Sequence, residues 1–490
     1  MLFNTLDFII FFVIILTTLV LVRNRKFHHI FLLLASYFFL YYSNNYFIVL
    51  LIISTILDFY VAQGIAKSNN KKHQKLLLIS SLAGNLGMLG FFKYTDFAIT
   101  QFNIFGSYID LQQQIPVLEI FLPIGISFYT FQTIGYTIDV YRGHLEPRKS
   151  FLDFALFVAF FPQLVAGPIL RAKTFFPQMM EKFANPSKER LSQIILHNAN
   201  LKFGISLMAI GFFKKMFFAD NIAPLVNDVF SSPVGSESLT IILGSIGFSI
   251  QVYGDFSGYS DIAIGAALIL GIKIPPNFNK PFFAKTPAEF WKRWHISLSS
   301  WVRDYLYFPL IWSKKNSRLR ISLGIIISMT LLGVWHGTGW NFVLFGFAWG
   351  IVLASHQLIL SSFPQVRKIT FFKTRMGTIF SIIVTQYITL FTFMIFRVQE
   401  FDELFYSMQK FVILDFQTEN TFELIKSHEI AIILMIIFVV LHFISFKIGN
   451  LPERISNLKH RYWFVFILII ALLILLLYGG NAEQFVYFQF

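Results

Sequence analysis

Cysteine is absent from the 490 residues. That excludes disulfides, thiolate metal sites, a cysteine nucleophile and palmitoylation. Charge is scarce too. Asp, Glu, Lys and Arg make up 13% of the chain, where a globular domain carries about 25%, too few to keep a folded surface of this size in water. Acid is the scarcer sign, with 26 Asp and Glu against 40 Lys and Arg. The sequence also lacks Ser/Gly/Pro-rich linkers, low-complexity tracts and a convincing internal repeat. It shows no Walker loop, GxSxG elbow, HExxH helix or Cys/His grid. Neither a metal site nor a permanently bound cofactor is expected.

What abounds is apolar. Hydrophobic residues form 56% of the chain, 62 of them Phe, and the mean hydropathy is +0.63. This predicts an all-α, polytopic integral membrane protein forming one domain over 1–490. The net charge of +14 would point to nucleic acid only if the bases formed one stripe. They fall instead in short clusters between apolar stretches, the pattern of charge marking the cytoplasmic side of a membrane.

Apolar stretches lie near 2–22, 30–42, 46–66, 76–92, 117–139, 151–166, 197–218, 239–271, 321–335, 340–361, 376–397, 430–446 and 462–478. That is roughly a dozen, against the ~20 residues a spanning helix needs. The first is read as a retained helix rather than a signal peptide, because its N-terminal flank has Asp7 and no positive charge, and no small-residue cleavage site follows. Basic loops at 23–26, 67–75, 142–149, 171–190, 314–320, 367–375 and 447–461 alternate with acidic ones at 220–237 and 400–429. With both termini outside the cell, nearly all basic loops fall in the cytoplasm. Phe151–Ala166 has basic loops at both ends and is predicted to be re-entrant or interfacial.

Polar residues at membrane depth are costly and are functional candidates by default. Four clusters qualify. In the stretch 290–305, a 100° period places Trp291, His295, Leu298, Val302 and Tyr305 on one face, with Trp294 beside them. This predicts a basic amphipathic helix at the interface with His295 on its apolar side. Leu332–Trp340 surrounds His336 with Trp335, Gly333, Gly337 and Gly339. The run before it is short enough to leave His336 inside the bilayer profile. Gln251, Tyr253, Asp255, Ser257 and Asp261 lie within the apolar run 239–271. Phe161–Arg171 holds two prolines and a glycine, which break a continuous helix. Local sequence leaves each cluster two readings: interfacial anchor or catalytic ring for His295, helix corner or active site for His336, interhelical hydrogen bonds or site groups for the carboxylates, stiff turn or site wall for the fourth.

Together, Phe161–Arg171, Tyr253–Asp261, Phe290–Leu310, Gly333–Trp340 and the terminal Phe485–Phe490 resemble the membrane-bound O-acyltransferase superfamily. Within it they are most similar to the bacterial alginate O-acetyltransferase branch, which includes peptidoglycan O-acetyltransferase-like proteins. The resemblance implies a bundle of transmembrane and re-entrant helices around a tunnel, with a catalytic core at about 117–361. It aligns the invariant histidine with His336 and the second active-site position with His295. Trp335, Gly337, Trp294, Tyr253, Asp255, Ser257, Asp261 and Gln251 would support the site or line the tunnel. The implied function is transfer of acetyl groups from cytoplasmic acetyl-CoA to a cell-envelope polysaccharide, through an extracytoplasmic partner transferase. The place is the bacterial cytoplasmic membrane.

Such a transfer needs a base for the acceptor hydroxyl, and neutral imidazole suits the task. His336 is expected in that role, with His295 orienting or stabilising charge and backbone N–H groups near Gly337 receiving the oxyanion. Lys285, Lys292, Arg293 and Arg303 are candidate contacts for the donor's phosphates. One alternative by resemblance is D-alanyl transfer to teichoic acids. A second, from another class, is an ion or solute transporter using His295, His336, Asp255 and Asp261.

Overall fold

The computed structural model describes residues 1–490 except 23, 112, 165–166, 185–197, 313–316, 479–484 and 487–490. Arg23, Val165, Ala166, His197, Lys314, Lys315 and the terminal Tyr487–Phe490 of the sequence motifs lie outside the described residues. Helix is the regular structure of the described residues, which include no strand. Seven helices among them are long and apolar enough to cross a membrane: Lys26–Lys67, Lys71–Tyr108, Ser238–Ile269, Arg318–His336, Trp340–Ser362, Arg375–Arg397 and Glu429–Ile448. Leu6–Leu21 and His460–Leu476 are shorter apolar helices. In lipid every backbone group must be satisfied internally, and the helix does this within one segment.

The chain divides into two compact units. The first comprises Met1–Ile205 with Ala263–Pro275. Its helices are α1 (Leu6–Leu21), α2 (Arg25–Asn44), α3 (Ile48–Lys67), α4 (Lys71–Tyr108), α5 (Ile126–Tyr141), α6 (Phe151–Ala159), α7 (Phe161–Leu164) and α8 (Ala172–Ala184). α3, α4 and α5 are joined by a buried polar hub. The Asp58 carboxylate accepts from Asn85 Nδ2 and Thr137 Oγ1, each at 2.7 Å, and from Ser81 Oγ. Ser54 Oγ donates to Asn85 Oδ1 at 2.6 Å. Interhelical bonds of this kind join helices where lipid removes the hydrophobic drive between them.

α6 and α7 occupy the segment expected to be re-entrant, and Phe154 to Phe161 are fully buried. The helix breaks at Phe160, whose ψ of 105° is not helical. Side chains take up the freed backbone groups: Gln163 Nε2 donates to Phe157 O at 3.0 Å, and the Phe161 N–H donates to Ser36 Oγ at 3.2 Å. A broken helix is tolerated at such depth where protein surrounds it. The Phe161–Arg171 motif is thus a satisfied turn for the residues described.

The second unit comprises Ser206–Ile262 and Pro276–Phe490. α9 (Asn198–Phe212), which belongs to this unit from Ser206 on, continues into a π-helical stretch, Phe213–Ala219, and then α10 (Asp220–Ser231) and α11 (Ser238–Ile269), which belongs to it as far as Ile262. There follow α12 (Pro287–Arg293), α13 (Ile296–Trp301), a second π stretch at Val302–Tyr307 and α14 (Phe308–Ile311). The long helices α15 (Arg318–His336) and α16 (Trp340–Ser362) form a hairpin, and α17 (Arg375–Arg397), α18 (Phe401–Val412), α19 (Glu419–Ser427), α20 (Glu429–Ile448), α21 (Leu451–Ser456) and α22 (His460–Leu476) complete the unit.

The α15–α16 hairpin is closed by glycine. A Cβ at Gly333 would stand 2.2 Å from the Phe342 carbonyl oxygen, and one at Gly346 would stand 2.3 Å from that of Met329. Only a missing side chain lets the two backbones approach so closely. The Gly333–Gly339 segment is therefore a helix corner, and His336, the last residue of α15, stands at it.

Candidate active site

His295 is not on a continuous amphipathic helix, and that expectation is corrected. α12 ends at Arg293, and His295 takes φ 43°, ψ 54° as the residue before α13. Left-handed backbone at a residue other than glycine costs about 1–2 kcal/mol and persists where the surroundings impose it, often at functional sites. Here the segment 277–279 imposes it. Asn277 O accepts the Ile296 N–H at 2.8 Å, while Asn277 Oδ1 accepts the Ser297 N–H at 3.1 Å and Ser297 Oγ at 2.8 Å. The Asn279 N–H donates to Arg293 O at 2.8 Å. Asn277 thereby caps α13 and leaves the His295 ring out of the capping.

The His295 side chain is completely buried. Its ring lies 4.6 Å from Phe256 and 6.4 Å from Trp335, centroid to centroid and edge-on in both cases. Among the described residues neither ring nitrogen has a hydrogen-bond partner on another residue. Burial pushes its pKa down to about 3, so it is a neutral imidazole at physiological pH.

His336 is also buried. It lies 4.8 Å from the neighbouring Trp335 ring, 5.3 Å from Phe396 and 5.9 Å from Phe345. Asn341, fully buried, donates from Nδ2 to Phe396 O at 3.0 Å, which ties the end of α17 to the hairpin corner. The Trp335 indole therefore contacts both imidazoles. Two buried imidazoles thus share one wall of Phe and Trp, and a neutral imidazole is a group that can take a proton where bulk water is excluded.

Of the other candidates, Trp294 and Tyr253 pack with tilted rings in an adjoining aromatic wall, centroids 6.2 Å apart. Gln251 and Ser257 are buried on α11. The two carboxylates have cationic partners. Asp255 accepts from Lys215 Nζ at 2.6 Å and from the Val486 N–H at 2.7 Å. Asp261 accepts from Lys214 Nζ at 2.6 Å. Lys215 also reaches Asp220 at 2.8 Å. Both lysines sit in the first π stretch, a form that recurs at functional sites.

A close approach makes the pairing possible. A Cβ at Gly258 would lie 2.7 Å from Gly211 O. The terminal segment comes with it, since Phe485 packs 4.5 Å from Tyr259 and 5.9 Å from Phe256. Among the donor candidates, Arg293 pairs with Glu289 at 2.7 Å and Arg303 with Asp304 at 2.8 Å. Lys285 and Lys292 are exposed. The segment thus brings His295, Trp335 and His336 together and spends both arginines on ion pairs.

Asn277, Asn341, Lys214 and Lys215 were missed from sequence. The lysines carried a signal, two cations inside the apolar run 197–218. So did Asn277, directly after the Pro275-Pro276 stop. Asn341 carried none.

The fold and site define a polytopic α-helical membrane protein built around two buried histidines. A family model described as MBOAT, membrane-bound O-acyltransferase family, matches residues 140–399, more than half of the chain. The chain belongs to that family. It is 36% identical over 328 residues to a peptidoglycan O-acetyltransferase of Helicobacter pylori, covering 62% of this chain and 59% of that protein. To a probable alginate O-acetylase of Azotobacter vinelandii it is 37% identical over 305 residues, covering 60% and 56%. A teichoic acid D-alanyltransferase of Bacillus subtilis is 29% identical over 288 residues, covering 57% and 69%. The chain thus spans somewhat over half the length of the first two relatives.

Proposed function

We propose that the protein is a membrane O-acetyltransferase, and that it moves acetyl groups from cytoplasmic acetyl-CoA for O-acetylation of a cell-envelope polysaccharide. Residues about 117–361 form the catalytic core of one integral assembly, and an extracytoplasmic partner transferase completes delivery. The observation that carries the reading is the His295–Trp335–His336 cluster, in which one imidazole is held in a left-handed backbone conformation and buried without a structural bond to make. Family membership supports it, as do the names of the relatives at 36% and 37% identity.

His336 takes the proton of the acceptor hydroxyl as its oxygen attacks the thioester carbonyl. The C–S bond breaks, and the imidazolium returns the proton to the leaving thiolate, giving the O-acetyl ester and free CoA thiol. His295, neutral, orients the reacting group. N–H groups at the Gly337 turn stabilise the oxyanion. Lys285 and Lys292, both exposed, remain available to the donor's phosphates.

The test is reconstitution in liposomes with acetyl-labelled CoA on one side. Label is expected on polysaccharide or partner on the other side, reduced at least about 100-fold in His336→Ala. Undiminished label transfer in that variant refutes the reading. Transfer from a D-alanyl carrier but not from acetyl-CoA would move the protein to the teichoic-acid reaction instead.

A further inference from the structure

The second unit contains a cavity of about 520 Å³ that the chemistry at His336 does not use. Its size falls within the ~300–1,000 Å³ of small-molecule sites. One wall is apolar: Met216 from the π stretch, Pro224 of α10, Ile430 and Ala431 of α20, and Leu477. The rim is polar: Asp220, Lys426, Ser427, His428 and Glu429. Tyr478, 46% exposed, adds an aromatic face with a phenol at its edge.

We propose that this cavity binds one hydroxyl-rich pyranose unit of the acceptor, an inference that rests on the acetyl-transfer reading above. Charge balance argues first. Asp220 faces Lys215 at 2.8 Å, His428 lies 3.9 Å from Asp228, and the lining carries Lys426 and Glu429 with opposite charges. No net positive field is left to recruit a nucleotide or another polyanion. What remains is a ring of both donors and acceptors, the complement of a sugar's hydroxyls. The Ser427 hydroxyl already lies 3.0 Å from His428 Nδ1, so the polar rim is locally ordered. Tyr478 and the apolar wall match the C–H faces of a pyranose ring.

Position argues second. Asp220 on the cavity shares the Lys215 ammonium with Asp255, and Asp255 accepts the Val486 N–H. Phe485 packs on Phe256, and Phe256 lies against His295. A continuous set of contacts therefore leads from the cavity to the catalytic cluster. The cavity also lies beside the acidic segments 220–237 and 400–429, the stretches expected outside the cell.

The test is equilibrium binding to the full chain in lipid nanodiscs, without acetyl-CoA. The probes are an uncharged oligosaccharide of N-acetylglucosamine and a polyanionic one of mannuronate. The uncharged probe is expected to bind more tightly. Tyr478→Ala and Glu429→Gln should each weaken it about tenfold, a loss of about 1.4 kcal/mol. In proteoliposomes both variants should raise the KM for an external oligosaccharide acceptor. Unchanged affinity in both variants overturns the proposal. So does tighter binding of mannuronate, or loss of binding to a partner protein with sugar binding intact. Because sugar binding is read without acetyl transfer, a failed transfer assay alone tells against the proposed function and not the cavity.

Discussion

The Trp335 indole stands 6.4 Å, edge-on, from the His295 imidazole and 4.8 Å from that of His336. One residue at the end of α15 thus joins a ring from the α12–α13 break to a ring at the hairpin corner. The His295 ring is not placed by a hydrogen bond to another described residue. Asn277 sets its backbone, and the α15–α16 packing sets that of His336. Both histidines stand at helix ends, where irregular backbone is tolerated at membrane depth only because protein surrounds it.

Replacing His295 separates its backbone role from its ring. Asn tolerates left-handed backbone better than Ala does. His295→Asn is therefore expected to melt closer to the wild type in detergent than His295→Ala, while both lose about 100-fold or more in kcat. Because burial pushes His295 down to about 3, its ring carries no charge across the working pH range. The pH–rate profile of His295→Asn should keep any inflection the wild type shows near neutrality. An inflection that vanishes in the variant would assign the titration to His295 and overturn this account.

The hairpin gives a prediction about distance. Gly333→Val and Gly346→Val each drive a side chain into facing backbone, at carbonyls 2.2 Å and 2.3 Å from the first carbon added. Overpacking costs about 1–3 kcal/mol when neighbours can shift, and here the obstacle is backbone. Both variants should lose activity together with thermal stability. Phe347→Val, on the exposed face of α16, should lose neither.

Much of this was legible in the sequence and some was not, for physical reasons. Apolar runs and basic loops mark the helices because lipid imposes both patterns. The corner that carries His336 was legible because glycines flank the end of a short apolar run. The backbone at His295 was misread: periodicity over 290–305 reads as one helix, and the break at Trp294–His295 is imposed by Asn277, from a separate segment. The carboxylates were visible and their partners were not, since Lys214 and Lys215 reach α11 only after the Gly211–Gly258 approach. Asp58 hid in the same way, one acid inside an apolar run whose donors come from two other helices.

The Lys215 ladder predicts an asymmetry between single and double variants. Lys215 has 1% of its side chain exposed and serves Asp220 and Asp255 at once. Lys215→Met leaves a buried carboxylate without its counter-charge and should cost about 3–5 kcal/mol. Adding Asp255→Asn removes that uncompensated charge, so the double variant should be more stable than Lys215→Met alone. A double-mutant cycle on detergent-solubilised protein measures the coupling. Strictly additive losses would show that the two residues do not act as a pair.

The acidic segments predict a pH dependence. Glu237 accepts from the Asn420 and Thr421 N–H groups at 3.0 and 3.1 Å, at the start of α19. Asp415 returns the arrangement, accepting from Ser238 N–H at the start of α11 and from Lys410 Nζ at 2.6 Å. The Lys410 ammonium holds the Asp415 carboxyl below its ordinary range, helped by the Gln417 and Ser238 N–H groups. Burial pushes Glu237 up, but the Asn420 and Thr421 donors outweigh it and hold that carboxyl low as well. A depressed carboxyl contributes stability that is present above the unfolded value, about 4, and is lost as pH falls through the folded one. Hydrogen exchange at the starts of α11 and α19, corrected for intrinsic rates, should therefore show protection that holds near neutrality and declines below about pH 4. Glu237→Gln should lower protection near neutrality and flatten its decline with acid. Protection at Thr421 that rose on acidification would contradict the clamp.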